Sequence, residues 1–333
     1  MRTRELSVNG PTVSAIGLGC MGMSGIYGHA DEKESIATIH EAIEHGVNLI
    51  DTGDFYNMGH NEMLVGRAVQ GRREQVLLSV KFGAMRAPNG AWLGVDTRPA
   101  AVKNFLAYSL RRLGVEHIDI YRPARIDPHV PIEDTVGAIG EMIQAGYVRY
   151  IGLSEAGAET VRRAQRVHPI VDLQIEYSLV SRSVESEILP VLNELGIGVT
   201  AYGVLSRGLL TASRLDGPGD VRSTYFPRFR AENLERNQRL VASLQSVAAE
   251  HGATPVQIAT AWVLAQGDRI VPQLGSRRRE QLRDVLGALE LRLTDDDLRR
   301  IGEAIPANAV AGTRYDENQM RVLDSERSAK AAG

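Results

Sequence analysis

Cysteine occurs once in the 333 residues, as Cys20. This excludes an intramolecular disulfide and suits a reducing compartment. Lysine is nearly as scarce: positions 33, 81, 103 and 330 hold all four, so arginine supplies the remaining 34 of the 38 basic side chains. Against that background Lys81, at the end of a strand-like run, is not a casual surface charge. No apolar run reaches the ~20 residues of a membrane-spanning helix, and Met1-Arg-Thr-Arg-Glu5 contains no apolar leader core. A net charge of −3 offers no basic excess for nucleic acid or an anionic membrane. The expectation is a soluble cytoplasmic protein acting on a small molecule, with no nucleic-acid, membrane or metal partner; whether it forms a homo-oligomer is left open.

What is present is ample apolar residue, 43% of the chain, arranged in a regular alternation. Residues 5–16 alternate around Asn9-Gly10, a hairpin turn signal, and predict two short strands acting as a lid. Strand-like runs follow at 14–18, 47–50, 76–80, 118–121, 148–151, 170–174, 197–201 and 269–272. Helical periodicity lies between them, at 31–45, 61–70, 98–113, 132–145, 156–166, 184–195, 233–251, 255–265, 279–287 and 294–304. Eight strand–helix units are what a closed (β/α)₈ TIM barrel requires. The expectation is therefore one barrel domain over residues 1–333, with an N-terminal hairpin (1–16), long βα loops and a tail (306–333) whose end is mobile. A doubly wound open sheet is the alternative, but fewer strands and a working glycine fingerprint would accompany it. Gly17-Leu-Gly-Cys-Met-Gly22 does spell G-x-G-x-x-G. A dinucleotide fingerprint of that kind must open a helix within the glycines, whereas here helical periodicity begins only near Asp31.

Chemistry is legible where apolar runs end. Val47-Asn-Leu-Ile-Asp51 ends on a carboxylate, with Tyr56 five residues on, and Val76-Leu-Leu-Ser-Val-Lys81 ends on an ammonium group. In a parallel barrel these groups meet at the C-terminal ends of neighbouring strands, where active sites sit. A free phenol, with a pKa of ~10, is a weak acid near neutrality. A neighbouring ammonium stabilises its phenolate, and a carboxylate would hold that ammonium in place. Each residue also has a bland reading: Asp51 as a turn cap, Tyr56 as a loop anchor, Lys81 as a surface charge.

These positions join others in order: Gly152-Leu-Ser154, Gln174, Tyr202 followed by Ser206-Arg-Gly-Leu-Leu210, and Gly275-Ser-Arg-Arg-Arg-Glu-Gln281. From about residue 5 to about residue 304 the set resembles the aldo-keto reductase superfamily, in particular its bacterial pyridoxal-reductase-like and potassium-channel β-subunit-like branch. The resemblance implies a (β/α)₈ barrel that binds NADPH without a Rossmann fold and reduces aldehydes or ketones. It implies Tyr56 as proton donor, assisted by Lys81 and Asp51. It also implies a cofactor site built from Cys20, Met21, Ser154, Gln174, Tyr202, Gly203, Leu205, Ser206, Arg207, Gly208, Leu210, Gly275, Ser276, Arg277, Gln281 and Asp284, with Arg222 and Arg228 closing over it. Arg277 to Arg279 would read a 2′-phosphate, favouring NADPH over NADH. Tyr27, Phe55, Trp92 and Ala124 would line the substrate pocket, with Tyr177 and Tyr225 as further aromatic candidates.

Two positions leave the family pattern. A histidine usually follows the fourth strand; here the run Asp119-Ile-Tyr-Arg-Pro-Ala124-Arg125 places an alanine there, which cannot hydrogen-bond through its side chain. A water or His60 could take up the space. An asparagine usually follows the serine, where this chain has Glu155. Other functions compete with carbonyl reduction. One is a non-catalytic NADPH-sensing or partner-binding subunit of the channel β-subunit type, which Ala124 permits. Another is a Schiff-base lyase using Lys81.

Overall fold

The computed structural model describes residues 1–26, 28–211 and 221–327. The chain opens with an antiparallel hairpin, β1 (Thr3–Glu5) and β2 (Thr12–Ser14). Eight parallel strands then close into a barrel: β3 (Gly17–Gly19), β4 (Leu49–Gly53), β5 (Leu77–Phe82), β8 (Ile118–Pro123), β9 (Val148–Ser154), β10 (Ile170–Glu176), β11 (Gly198–Tyr202) and β12 (Ile270–Gly275). They are neighbours in chain order, β12 pairing back to β3. A second hairpin, β6 (Ala84–Arg86) and β7 (Trp92–Val95), extends from the end of β5. The eight predicted runs are these eight strands, most continuing two or three residues further at their C-terminal ends.

Helices pack outside: α1 (Glu32–Glu44), α2 (His60–Val69), α3 (Pro99–Leu113), α4 (Ile132–Gln144), α5 (Ala158–Val167) and α6 (Ile188–Leu195) each follow a strand. The long connection after β11 carries α7 (Val221–Tyr225), α8 (Ala231–Glu250) and α9 (Pro255–Leu264). After β12 come α10 (Arg279–Gly287), α11 (Asp295–Ala304) and α12 (Glu317–Val322). Local sequence sets their ends. Thr254 and Thr294 form capping boxes with Gln257 and Asp297 at the starts of α9 and α11, and α3 stops at Gly114, whose φ of 67° suits glycine.

The hairpin closes the N-terminal end of the barrel. Leu6 and Val13 pack with Leu49, Ile120, Val171 and Val271 in one apolar cluster, and Ser7 bridges to Ile197. It is a plug at the end opposite the strands' C-termini. Alternate residues of a strand share a face, so two steps along from Leu49, Ile120 and Val271 the barrel interior receives Asp51, Arg122 and Gln273, while on β10, where the register shifts between Ile170 and Asp172, Asp172 and Gln174 join them. This upper interior is polar. Arg122, fully buried, donates to Asp172 Oδ2 (2.9 Å), Thr200 Oγ1 (3.1 Å) and Ser79 Oγ (3.0 Å). Ser79 in turn donates to Asp51 Oδ2 (2.7 Å). Gly152 makes room for this network: a Cβ there would lie 2.5 Å from Asp172 Oδ1 and 3.1 Å from Arg122 Cζ.

Removing one partner of a buried ion pair strands the other charge at a cost of about 3–5 kcal/mol. Arg122→Met should therefore lower unfolding stability by about that amount in urea titrations. Arg122→Met combined with Asp172→Leu should recover a substantial part. A double variant no more stable than the single one would show that the network, not the stranded charge, sets the loss.

Candidate active site

Strand ends place the three predicted catalytic groups together. Asp51 and Lys81 lie on adjacent strands, Gly53 pairing in register with Lys81, and the buried Lys81 Nζ donates to Asp51 Oδ1. Gln174 clamps the pair, accepting from Lys81 Nζ (2.8 Å) and donating to Asp51 Oδ2 (2.9 Å) and Gln273 Oε1 (3.0 Å). Burial works to raise the Asp51 pKa, but the charges of Lys81 and Arg122 and the hydrogen bonds from Lys81 and Gln174 hold it below the ordinary value. Lys81 is pulled down by burial, against the opposing charge of Asp51 and with help from Arg122. Tyr56, 6% exposed, sits on the β4–α2 loop with its ring centroid 5.3 Å from Lys81 Nζ. The loop is pinned by Asp54 N donating to Lys81 O (2.9 Å) and Tyr56 N donating to Gly53 O (3.1 Å). Its tight return uses left-handed backbone at Asn57, Met58 and Gly59. Asp54, which caps Gly83 N at 3.1 Å, is pushed up to about 7 by burial.

Around the mouth, the predicted cofactor residues line one rim. Cys20 and Met21 follow β3, and Cys20 N donates to Asp51 O (2.9 Å). Burial, reinforced by the Asp51 charge, pushes the Cys20 thiol up, so it stays neutral. Ser154 ends β9 and Ser276 follows β12; both hydroxyls are buried without a protein hydrogen-bond partner. Two orphaned donors at positions marked for a ligand are what a bound dinucleotide would satisfy.

Glu155 holds a larger surprise. Its φ is 54° and its side chain is fully buried. Arg314, Tyr202 Oη (2.7 Å) and Ser325 Oγ (2.6 Å) all donate to its carboxylate, Arg314 Nη1 at 2.8 Å. The tail therefore docks on the mouth: Arg314 is 5% exposed, and Tyr315 Oη lies 3.0 Å from Tyr202 Oη. Burial opposes ionisation of Glu155, yet Arg314, Arg125 and Ser325 bring its pKa to about 2. The expected mobile end concerned residues 328–333 among others, which lie outside the described residues; through Arg327 the tail is docked on the barrel.

The connection after β11 forms a second charged layer. Gly203, Ser206, Arg207 and Gly208 all take left-handed φ, at 66°, 45°, 56° and 95°. A Cβ on Gly203 would meet Glu176 Cγ at 2.9 Å. Glu176, buried at the end of β10, accepts from Arg207 (3.3 Å), Arg228 (3.0 Å) and Ser181 (2.7 Å), and Arg228 also donates to Ser206 Oγ (3.3 Å). Arg222 donates to Arg207 O (3.3 Å). Leu205 and Leu210 pack beneath this layer.

At the far rim, Gly275 and Ser276 lead into the N-terminus of α10. Arg277 N donates to Gln281 Oε1 (3.2 Å), and Arg277 Nη1 reaches the carbonyls of Gly28 and His29 at 3.3 and 3.2 Å. Arg279 is engaged by Glu34, and Asp284 accepts from Thr254 Oγ1 (2.8 Å).

Of the pocket aromatics, Phe55 packs edge-on against Tyr56, centroids 4.7 Å apart. Trp92 sits 47% exposed on the β6–β7 hairpin over Arg86. Tyr177 is buried against Trp262 with its hydroxyl on Glu185 (2.9 Å), so it serves the core; Tyr225 is exposed. Tyr27 lies outside the described residues. Ala124 is buried at the top of β8, its N–H bonded to Phe82 O (2.8 Å). His60 does not fill the space beside it: its ring nitrogens are held by Ser24 (3.0 Å) and Glu32 (2.6 Å) at the start of α2. The residues missed from sequence are Ser79, Arg122, Asp172, Gln273, Glu176 and Arg314. Period-two alternation could have turned the first four inward, but nothing local marks Arg314.

Comparison with known proteins agrees with this fold. Residues 15–306 match the family model described as the aldo/keto reductase family. The chain is 41% identical over 315 residues to a protein of Glycine max described as a probable aldo-keto reductase 1, covering 93% of this chain and 91% of that protein. Among solved structures it is similar to a glycerol dehydrogenase of Gluconobacter oxydans (TM-score 0.83, 28% identity, 93% of this chain and 98% of the other). It is also similar to the holo form of an aldo-keto reductase of Bacillus halodurans (TM-score 0.78, 29% identity, 95% and 100%).

The Glu155 latch predicts a pH signature. Its folded-state pKa, about 2, lies below the ordinary 4.5, so ionisation favours folding. That contribution, roughly 3 kcal/mol, is complete above about pH 4.5 and lost as the pH falls towards 2. Stability measured between pH 5 and 3 should therefore fall less steeply in Glu155→Gln than in the parent. Parallel acid limbs would mean that Glu155 does not carry the buried charge.

Proposed function

The chain belongs to the aldo/keto reductase family, an oxidoreductase family that reduces carbonyl compounds with nicotinamide cofactors, and from that premise we propose that it is an NADPH-dependent reductase of aldehydes or ketones. The observation that carries the reading is the buried Lys81–Asp51–Gln174 cluster beneath the Tyr56 ring. When bound, the reduced cofactor supplies hydride to the carbonyl carbon. The Tyr56 hydroxyl gives its proton to the carbonyl oxygen. The resulting phenolate is stabilised by the Lys81 ammonium, which Asp51 and Gln174 hold in place, and solvent restores the proton.

The residues present fit the cofactor. Ser154 and Ser276 offer buried hydroxyls without partners at two ends of the rim, and Tyr202 offers a ring face for stacking. Cys20 and Met21 border the groove. The left-handed turn through Gly203, Ser206, Arg207 and Gly208, with Leu205 and Leu210 beneath, and the excess of arginine over Glu176 suit a pyrophosphate. Gly275, Ser276 and Gln281 would take the adenosine end at the start of α10. Arg277 would read the 2′-phosphate, with Arg278 beside it, since Arg279 is tied to Glu34. Asp284 would join them with the oxygen that Thr254 does not hold.

A panel of aldehydes and ketones, followed by loss of NADPH absorbance, tests the reading; tight NADPH binding with no turnover on any of them would favour the cofactor-sensing alternative that Ala124 permits. Tyr56→Phe should cut kcat by about 10²–10⁴ with the NADPH dissociation constant little changed, because the acid goes and the ring stays. Most of the rate surviving would remove Tyr56 as the proton donor. Arg277→Ala should weaken NADPH about 10- to 100-fold, the loss of a charge-assisted hydrogen bond, and NADH much less. Fluorescence titration of both cofactors measures this, and equal weakening would move the 2′-phosphate contact to another residue, Arg278 first.

A further inference from the structure

Four guanidinium groups, Arg125, Arg207, Arg228 and Arg314, and two carboxylates, Glu155 and Glu176, gather at the mouth. Three of the arginines are spoken for: Arg207 and Arg228 end on Glu176, and Arg314 ends on Glu155. Arg125 differs. No carboxylate lies within ion-pair distance of it among the described residues, and its hydrogen bond goes to the carbonyl of its own neighbour, Ala124 (2.7 Å). Its guanidinium stands 5.9 Å from the Tyr315 ring centroid, and the rest of its N–H donors have no protein acceptor. The group is partly buried, and it meets the Glu155 charge only beyond ion-pair distance.

Position gives this cation a target. Arg125 lies two residues beyond the end of β8, the strand paired with β5 and its Lys81. Its charge acts on Lys81, Glu155 and Tyr202 alike. Beside it stands Ala124, whose side chain offers no polar group. A fork of donors with one backbone acceptor, at the strand end beside Lys81, matches an oxyanion.

We propose that Arg125 recognises an oxyanion carried by the carbonyl substrate, a carboxylate or a phosphate monoester, so that the preferred substrates are anionic aldehydes or ketones. This rests on the reductase reading above. It does not draw on Tyr177, which is in the core.

The test uses 4-formylbenzoate, its methyl ester and 4-formylphenyl phosphate with the full-length enzyme, together with calorimetric titration of benzoate and benzamide into the enzyme saturated with NADP⁺. In the parent, one of the two anionic aldehydes should exceed the ester in kcat/KM by at least about tenfold, and which one it is separates carboxylate from phosphate. In Arg125→Met that preference should collapse about 10- to 100-fold, mostly through KM, and Arg125→Lys should restore part of it. If carboxylate is the ligand, benzoate binding should disappear in Arg125→Met while benzamide binding is unchanged; if phosphate is, phenyl phosphate takes the place of benzoate in the titration. An Arg125→Met variant that lowers kcat equally for all three aldehydes would overturn the proposal and make Arg125 a donor to the carbonyl oxygen itself. So would a parent that binds neither anion. If no aldehyde turns over but an Arg125-dependent anion still binds, the reductase reading fails with the substrate class, and the oxyanion contact of Arg125 alone stands.

Discussion

A lysine and an aspartate sealed inside a barrel are stable only if each is the other's answer. Lys81 and Asp51 have almost no contact with water, and in that low-dielectric interior an isolated charge would shift its pKa and neutralise. Much of the upper barrel can be read as the support this pair requires. Gln174 touches both partners, Ser79 fills the second oxygen of Asp51, and Arg122 adds a positive charge that favours the carboxylate and disfavours the ammonium. Barrel interiors are usually layered with branched apolar side chains; here that layering survives only at the hairpin-plugged end. The opposing effects of Arg122 leave Lys81 more willing to share charge with a neighbouring phenolate than a lysine paired with aspartate alone would be.

The same principle, a buried charge needing its answer, explains the tail. With a neutral side chain after Ser154, the mouth would have no need of a cation from elsewhere. Glu155 brings a fully buried carboxylate, and the answer comes from 159 residues away in Arg314. This fixes Tyr315 against Tyr202 and lets Arg207 stack between Phe226 and Tyr315, at 4.2 and 4.7 Å. A segment whose composition reads as a loose charged end thus becomes part of the wall around the reacting centre. Its order comes from ion pairing rather than from apolar burial, which is why hydropathy gave no warning of it.

How far the sequence could be read follows the range of the forces involved. Strand and helix placement rests on local periodicity, and all eight barrel strands were legible from it. So were the residues at strand ends, because a barrel delivers those to one face whatever the loops do. Ser154 and Gln174 fall into that group. Contacts made by long loops were not legible: Tyr177 reads as a pocket aromatic, yet packs on Trp262 in the core, and nothing local paired Arg314 with Glu155. Each of these depends on where a connection folds back, and neither alternation nor spacing encodes that.

The two departures from the family pattern are resolved in opposite ways, and the difference has consequences. Glu155 adds a charge, and a buried charge cannot be left alone, so the protein supplies a latch that constrains more than a hundred residues of intervening chain. Ala124 removes a polar side chain and adds none, which carries no comparable penalty. Nothing in the fold was forced to respond: His60 stays committed to Ser24 and Glu32, and only Arg125 reaches Ala124, through the backbone carbonyl. The Glu155 change therefore bears on how the mouth is held, while the Ala124 change asks nothing of the fold around it.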